Sequence, residues 1–291
     1  MKIIFAKEIG FCFGVKRALK MVQDNLPKLK KPIKMYGSLV HNEEVAKYLI
    51  KKMGIKIIVD DFKKIKKGTL IISAHGISPA IKNELQRRPD LDLLDTICPT
   101  VAQVQKTAEL LQKEKKEVLI FGDPNHQEVL GIKGAAKEKA IVFCSKEELL
   151  KFKPKKNKKY GLVVQTTQNF EKFKEIEKIA KRKIPQIAIF NTICQTSFKR
   201  QTEIRKLAKK VDTVLIIGST TSANTKRLYQ ISSKINPGTF FVKTAEDLKR
   251  EWFENVKNVG IGAGASTPYW VINEVVKKLK TYDSKKKNKK N

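Results

Sequence analysis

The chain has 291 residues, 41% of them hydrophobic, and a formal net charge of +32 at pH 7. This length and apolar content suffice for one large globular domain or two to three small ones with buried cores. No run of about 18 apolar residues occurs, and Lys7, Glu8 and Gly10 interrupt the apolar amino terminus, so we predict a cytoplasmic protein with neither a membrane span nor a signal peptide.

The positive charge is spread over the chain and is carried mainly by lysine. Only 8 of the 61 basic residues are Arg, and the lysines lie in mixed helical patterns such as EKFKEIEKIAKRK. Binding sites for nucleic acid typically combine basic residues with arginine forks or aromatic stacking platforms. We therefore expect no specific nucleic acid partner, although the charge favours anionic substrates and acidic protein partners.

Three cysteines begin three similar segments of the chain. Each of Cys12, Cys98 and Cys194 ends an apolar or strand-like stretch and is followed by a helical pattern, namely VKRALKMVQDNL, TVAQVQKTAELLQ and FKRQTEIRKLAKKV. A strand that ends in glycine follows each cysteine after 24 or 25 residues, at Gly37, Gly122 and Gly218. A further apolar strand then ends in small polar residues, near His75, Thr166 and Ser266.

This order of elements predicts an α/β fold with three pseudo-repeated units of about 90 residues each. We place the first unit at residues 13–97, the second at 98–193 and the third at 194–281, completed by a strand within residues 1–12. Residues 282–291 are predicted to form a disordered basic tail. Because ligands gather at the carboxyl ends of parallel strands, units arranged around a pseudo-threefold axis would direct their loops, and the three cysteines, into one central cavity.

Three converging thiolates suit a soft metal centre. Structural zinc sites usually have four ligands in close pairs such as C-x2-C, a pattern that is absent here. Cubane iron–sulfur clusters commonly have four cysteine ligands, so three would leave one iron open. The alternative is that these cysteines are small buried hydrophobic residues. Cys144 lies at no repeated position, and we predict that it packs in the core.

The three histidines of the chain, His41, His75 and His126, all fall in the loops that follow strands. Hydroxyl and amide side chains accompany them in equivalent loops: Thr166, Ser222, Asn224 and Ser266. Such groups at helix amino termini predict a pocket for an anion. Glu128 is a candidate acid if it is buried, because burial raises the pKa of a carboxyl group. It could equally be a helix-start residue that complements the helix dipole.

Nine motifs occur along the chain in the order GFCFGVKRAL, LVHNEEV, SAHGIS, DTICPTV, NHQEV, QTT, ICQTSFKRQ, GSTTSANTKRL and GAGASTP. Together they resemble the 4-hydroxy-3-methylbut-2-enyl diphosphate reductase family, which catalyses the last step of the non-mevalonate isoprenoid pathway. The resemblance implies a trefoil of three α/β domains around one [4Fe–4S] cluster, held by Cys12, Cys98 and Cys194. It implies that the substrate hydroxyl meets the open iron.

The resemblance also implies roles for the remaining candidates. The diphosphate would be bound by His41, His75, His126, Ser222, Asn224 and Ser266, and Thr166 with Glu128 would relay protons to the departing water. An external donor, such as an acidic ferredoxin or flavodoxin, would supply two electrons. Ala223 stands where many relatives have serine and Gln127 where proline is common, and neither change removes a residue to which chemistry is assigned.

Two other functions explain part of the sequence. A basic nucleic-acid-binding protein with a structural zinc site would account for the charge, but not for histidines and hydroxyls in equivalent loops. A zinc hydrolase or phosphatase would need paired histidine and carboxylate ligands at short spacing, which we do not find.

Overall fold

The structure is a computed structural model that describes residues 1–58 and 65–287, with the side chains described as far as residue 282. The strands are β1 (Lys2–Phe5), β2 (Ile33–Tyr36), β3 (Lys56–Ile58), β4 (Gly68–Ile72), β5 (Leu91–Asp95), β6 (Glu117–Phe121), β7 (Ile141–Phe143), β8 (Tyr160–Val164), β9 (Ala188–Ile189), β10 (Thr213–Ile217), β11 (Thr239–Val242) and β12 (Asn258–Ala263). The helices are α1 (Phe13–Asn25), α2 (Glu43–Met53), α3 (Pro79–Gln86), α4 (Pro99–Lys113), α5 (Gln127–Ala135), α6 (Lys146–Lys151), α7 (Phe170–Lys183), α8 (Gln195–Ala208), α9 (Ala223–Ser233) and α10 (Tyr269–Lys287).

The strands form three parallel four-stranded sheets with one shared order. The sheets run β3-β2-β4-β5, β7-β6-β8-β9 and β11-β10-β12-β1. If the strands of each repeat are numbered one to four in the order given by β2, β3, β4 and β5, the order across every sheet is two, one, three, four. The third sheet takes β1 from the amino terminus as its fourth strand. These sheets confirm the α/β class and the threefold repetition of the unit.

Burial on both faces explains why the central strands read as continuous apolar runs. Every residue of β4, β8 and β10 is buried. In the second sheet, alternate side chains enter two separate cores, because successive residues of a strand point to opposite faces. Val118, Ile120 and Val163 pack with α4 and α5, whereas Leu119, Phe121, Leu162 and Val164 pack with α7.

The chain divides into two compact units. The terminal unit comprises Met1–Val15, Val40–Lys47 and Gln195–Asn291, and the middle unit comprises Lys16–Leu39 and Tyr48–Cys194. The short segment Val40–Lys47, which carries His41, thus belongs to the terminal unit although it follows a strand of the first repeat. The domain boundaries at residues 97/98 and 193/194 remain predictions.

The last helix differs from the tail that we predicted from residue 282. Helix α10 continues through Lys287. Tyr282 explains part of this extension, because its ring packs on the core of the third sheet and its hydroxyl donates to the Leu248 carbonyl at 3.1 Å. Residues 288–291 of the predicted tail lie outside the described residues. Within the described ranges, no helix has the length and apolar character needed to cross a membrane.

Candidate active site

The three repeated cysteines occupy equivalent positions. In each repeat the cysteine amide donates to the carbonyl of the residue two places beyond the end of the third strand. The pairs are Cys12 with Ala265 at 3.0 Å, Cys98 with Ala74 at 3.0 Å, and Cys194 with Thr166 at 2.9 Å. Each cysteine directly precedes a helix, respectively α1, α4 and α8. The backbone therefore presents all three thiols in the same way, at the carboxyl end of a sheet.

The repeated tripeptide Thr-Ile-Cys has a structural cause. Thr96 and Thr192 each donate their hydroxyl to the carbonyl of the last residue of the third strand, Ile72 and Val164 respectively. This bond holds the segment before the cysteine against the sheet. The first cysteine has Gly10 at the matching position, and there the Arg200 guanidinium donates to the Gly10 carbonyl at 2.7 Å. Arg200 thus holds the segment before Cys12 in place, as a threonine does for the segments before Cys98 and Cys194.

The thiols match what an iron–sulfur cluster requires. None of the four cysteines forms a disulfide bond, and Cys12, Cys98 and Cys194 are partly buried. Cys98 is the N-cap residue of α4, yet its side chain makes no capping hydrogen bond. Its sulfur therefore remains available as a ligand. A helix amino terminus also favours the negative charge of a thiolate ligand. Thiolates are the ligands that iron–sulfur clusters use, so the chemistry of these side chains fits such a group.

The prediction that Cys144 packs in the core is wrong. Strand β7 ends at Phe143, so Cys144 lies beyond the sheet and is exposed. Its amide and its thiol both donate to the Glu148 carboxylate, at 2.9 and 3.2 Å. Cys144 thus belongs to the start of α6 rather than to a core.

Glu128 and Thr166 form a buried pair in the middle unit. Glu128 is 1% exposed, and its carboxylate accepts from the Thr166 amide at 2.6 Å and from the Thr166 hydroxyl at 2.8 Å. Burial raises the pKa of Glu128 to about 7, against the lowering effect of the two bonds from Thr166. The group can therefore hold a proton near neutral pH. Because the Thr166 carbonyl accepts from the Cys194 amide, the pair is tied directly to a cysteine loop.

His126 lies at the amino terminus of α5, two residues before Glu128. Its Nδ1 accepts from the Glu128 amide at 3.2 Å, which fixes the neutral tautomer with the proton on Nε2. The His75 ring meets the His126 ring edge to face, with centroids 5.3 Å apart. The middle unit therefore groups two histidines with the buried acid.

Gln165 is a residue of this site that we did not predict. Its side chain is buried, accepts from the Asp123 amide at 2.9 Å and donates to the Thr167 hydroxyl at 3.3 Å. It thereby joins the loop that leads to His126 with the loop that carries Thr166. The sequence does contain an indication of this role, because Gln165 directly follows the buried strand β8. A buried side-chain amide without hydrogen bonds would lower the stability of the fold, so partners for it could be expected.

The terminal unit gathers a second set of polar groups. The Ser266 hydroxyl donates to the His41 carbonyl at 3.2 Å and lies 3.5 Å from the Ser222 hydroxyl. Asn224 Oδ1 accepts from the Ala265 amide at 3.0 Å, which identifies Nδ2 as the opposite end of the amide. Nδ2 is buried and has no hydrogen-bond partner among the described residues. A buried donor of this kind is suited to an anionic ligand.

Burial and neighbouring charges both affect the pKa of His41. Burial lowers the pKa of His41, the positive charge of Lys226 lowers it further, and Glu43 partly offsets both. Glu43 also accepts from the Ser219 hydroxyl at 2.9 Å, which we did not predict. This bond ties the His41 segment to the loop before α9. His41, Ser222, Asn224 and Ser266 are thus brought together within the terminal unit, while a single cavity shared with the middle-unit residues stays a prediction.

Cysteine, histidine and hydroxyl residues lie at the strand ends of three parallel sheets, an arrangement typical of α/β enzymes. Residues 3–280 match the family model described as LytB protein. The 4-hydroxy-3-methylbut-2-enyl diphosphate reductase of Geobacter sulfurreducens is 39% identical over 287 residues, which cover 99% of this chain and 100% of that protein. The Aquifex aeolicus protein of the same name is 40% identical over 281 residues, covering 95% of both chains.

Two solved structures are similar over most of the chain. The E-1-hydroxy-2-methyl-but-2-enyl-4-diphosphate reductase of Plasmodium falciparum has a TM-score of 0.89 at 31% identity, covering 95% of this chain and 87% of its own. An (E)-4-hydroxy-3-methyl-but-2-enyl diphosphate reductase, described as the terminal enzyme of the non-mevalonate pathway, has a TM-score of 0.67 at 38% identity, covering 97% and 100%. The chain belongs to the LytB protein family of iron–sulfur enzymes of isoprenoid biosynthesis, and it is an oxidoreductase.

Proposed function

We propose that this protein converts 4-hydroxy-3-methylbut-2-enyl diphosphate into isopentenyl diphosphate and dimethylallyl diphosphate. The reaction breaks the allylic C–O bond, consumes two electrons and two protons, forms one new C–H bond and releases water. The names of relatives about 40% identical over nearly the whole chain support this substrate. The observation in this molecule that carries the proposal is the buried Glu128–Thr166 pair, which can hold and deliver a proton near neutral pH.

Cys12, Cys98 and Cys194 would hold one [4Fe–4S] cluster. Their equivalent backbone bonds, the lack of disulfides and their positions before helices support this assignment. When bound, the cluster would supply the two electrons one at a time and an iron without a protein ligand, open to the substrate oxygen.

Glu128 would act as the acid, with Thr166 as the intermediate donor. The Thr166 hydroxyl can accept the proton of the Glu128 carboxyl and donate its own hydrogen to the departing hydroxyl group. Thr166 Oγ1 already lies 2.8 Å from the Glu128 carboxyl. The exchange therefore requires only that the hydroxyl hydrogen, which points to Glu128 when that group is ionised, turns toward the departing group once Glu128 holds the proton. A pKa of about 7 allows Glu128 to be reprotonated from solvent at neutral pH.

The diphosphate would be bound by histidine, serine and asparagine side chains. The middle unit offers His75 and His126, whose Nε2 carries a hydrogen. The terminal unit offers His41, Ser222, Asn224 and Ser266, grouped in neighbouring loops. A bound dianion would raise the lowered pKa of His41, because an adjacent negative charge favours the protonated ring. Substrate binding would thus be accompanied by proton uptake.

The two departures from the family pattern leave these roles intact. Ala223 is the first residue of α9, where its backbone lies between Ser222 and Asn224. Gln127 is the first residue of α5, and His126 still caps that helix. An acidic electron-carrier protein, such as a ferredoxin or flavodoxin, would supply the electrons, in keeping with the net charge of +32.

The direct test is turnover under anaerobic conditions with reduced methyl viologen as the electron source. We expect the diphosphate alcohol to disappear together with two equivalents of reduced dye, and both five-carbon diphosphates to form. Reconstituted protein that oxidises no dye in the presence of this substrate would contradict the proposed reaction.

Replacing Asn224 by aspartate should raise KM for the substrate by about 10- to 100-fold, because a carboxylate keeps the bond to the Ala265 amide but replaces the donor with a negative charge. The effect on kcat should be smaller, since Asn224 is assigned to diphosphate binding and not to cleavage of the C–O bond. Steady-state kinetics at saturating reductant measure both. Asn273→Asp, an exposed change of the same chemistry in α10, is the matched control. An unchanged KM would exclude Asn224 from diphosphate binding.

A further inference from the structure

The proposed reaction requires electrons from outside, and one face of the terminal unit is suited to receive the protein that brings them. We propose that Phe11, Phe13, Tyr269 and Trp270, together with Lys7 and Lys199, form a docking surface for a small acidic electron-carrier protein. We call these six residues the aromatic patch. The inference rests on the proposed function and deepens it by assigning the place where the donor binds.

The patch exposes large aromatic side chains beside a cluster ligand. Phe13 is 72% exposed, Tyr269 45% and Trp270 39%. Phe13 is the residue directly after Cys12 and begins α1. Isolated exposed apolar residues are ordinary, whereas several aromatic rings grouped around one loop are typical of an interaction site. Aromatic residues are also enriched in the centres of protein interfaces.

Contacts within the terminal unit join Phe11, Tyr269 and Trp270 around the loop that leads to Cys12, and Phe13 directly follows that cysteine. The Phe11 ring meets the Trp270 ring edge to face, with centroids 6.1 Å apart. The Tyr269 hydroxyl donates to the Ile9 carbonyl at 3.3 Å. The Tyr269 ring also lies over Gly10, where the Cβ of any other residue would be 3.0 Å from it. The start of α10 is thus packed against the loop that leads to Cys12.

Hydrogen bonds hold this loop in place. Arg200 donates to the Gly10 carbonyl at 2.7 Å and to the Ala263 carbonyl at 2.8 Å. The Cys12 amide donates to the Ala265 carbonyl. Gly10 has φ of +70°, a conformation that favours glycine and allows the close approach of Tyr269. A loop fixed at three points offers a preformed surface, so little ordering is needed when a partner binds.

Exposed lysines near this loop favour an acidic partner. Lys7 is exposed in the same loop, and Lys199 is exposed next to Arg200, whose guanidinium binds Gly10. Glu8 is the one exposed acidic residue within the loop from Lys7 to Phe13. The chain as a whole carries +32, which attracts an acidic protein over distances comparable to the screening length. The rings and lysines together therefore combine an apolar centre with a basic margin.

Phe13→Ser and the double variant Lys7→Glu with Lys199→Glu test this surface, with purified acidic flavodoxin and methyl viologen as alternative reduced donors. We expect Phe13→Ser to lower kcat/KM for flavodoxin by about tenfold, as is typical for an exposed aromatic anchor, and to leave turnover with methyl viologen unchanged. The lysine variant should lower kcat/KM for flavodoxin and weaken its dependence on salt concentration. The affinity for flavodoxin, measured by calorimetry, should fall in both variants as well.

Leu110→Ser is the matched control. Leu110 is a large apolar residue that is 47% exposed, and it lies in α4, about 18 Å along the helix axis from Cys98. Unchanged flavodoxin binding and kcat/KM in both patch variants would overturn the docking surface. An equal fall with both donors would also overturn it, because Phe13 would then act on the cluster or the fold. Loss of self-association in Phe13→Ser, with flavodoxin kinetics intact, would assign the patch to a second copy of this chain.

These results remain distinct from a failure of the proposed reaction. Wild-type protein that is inactive with methyl viologen would contradict the reaction itself. Calorimetry would still decide whether the aromatic patch binds flavodoxin.

Discussion

Replacing Cys98 by serine will abolish cluster binding and lower turnover by at least about a thousandfold, because a cluster with three protein ligands loses one of them. The serine can keep the amide bond to the Ala74 carbonyl and the N-cap position of α4, so the fold should survive. Visible absorption and iron content after anaerobic purification measure the cluster, and reduced methyl viologen measures turnover.

Cys144→Ser is the control that the chain itself provides. This thiol is exposed and bonded to Glu148, away from the repeated cysteine positions. We expect normal iron content and normal turnover in this variant. A Cys98→Ser protein that kept full activity, or a Cys144→Ser protein that lost its iron, would contradict the assigned ligands.

Replacing Glu128 by glutamine should lower kcat by about 100- to 10,000-fold, the range typical for loss of a general acid. The amide oxygen can still accept from the Thr166 amide, and the amide nitrogen can donate to the Thr166 hydroxyl, so the pair keeps its shape while losing its transferable proton. KM should change little. Glu114→Gln, an exposed change of the same chemistry, should leave kcat unaltered. Equal kcat in Glu128→Gln and wild type would remove Glu128 from the proton path.

The pH dependence of the wild type should follow the same group. Because the pKa of Glu128 is raised to about 7, kcat should fall as the pH rises through 7 and the acid loses its proton. The residual activity of Glu128→Gln should lack this transition. A wild-type profile that is flat from pH 6 to pH 8.5 would contradict the raised pKa or the role of Glu128 as the acid.

Stability supplies a second readout of the raised pKa. Between the unfolded pKa of 4.5 and the folded value of about 7, the native protein holds a proton that the unfolded chain has released. The free energy of unfolding should therefore decrease as the pH rises through this window, by on the order of a few kcal/mol. Chemical denaturation at pH 5 and pH 8 should show a larger loss for wild type than for Glu128→Gln.

Much of the architecture could be predicted because each repeat shows the same local sequence features. The three cysteines, the glycines that follow the first strand of each repeat and the buried apolar runs mark the same unit three times. In the tripeptide Thr-Ile-Cys, the threonine hydroxyl donates a hydrogen bond to the carbonyl at the end of the neighbouring strand. Periodicity and repetition are local properties, so one sequence suffices to read them.

Other features depend on contacts between distant parts of the chain. Nothing near Cys144 indicates that β7 ends at Phe143. The contacts of Tyr282 with the core and with the Leu248 carbonyl, which hold α10 beyond residue 281, also join distant parts of the chain. The grouping of Val40–Lys47 with residues 195 onward follows from tertiary packing, as do the bond between Ser219 and Glu43 and the buried amide of Gln165. Single-sequence patterns identify residue types suited to a site but do not pair them.

Iron and acid-labile sulfide per chain, measured on protein purified without oxygen and read beside its visible absorption, test the central claim most directly. About four irons and four sulfides, with a broad thiolate-to-iron band, are expected if the three repeated cysteines hold one [4Fe–4S] cluster. Stoichiometric zinc without sulfide, from cells able to assemble clusters, would contradict the account and favour a structural zinc site.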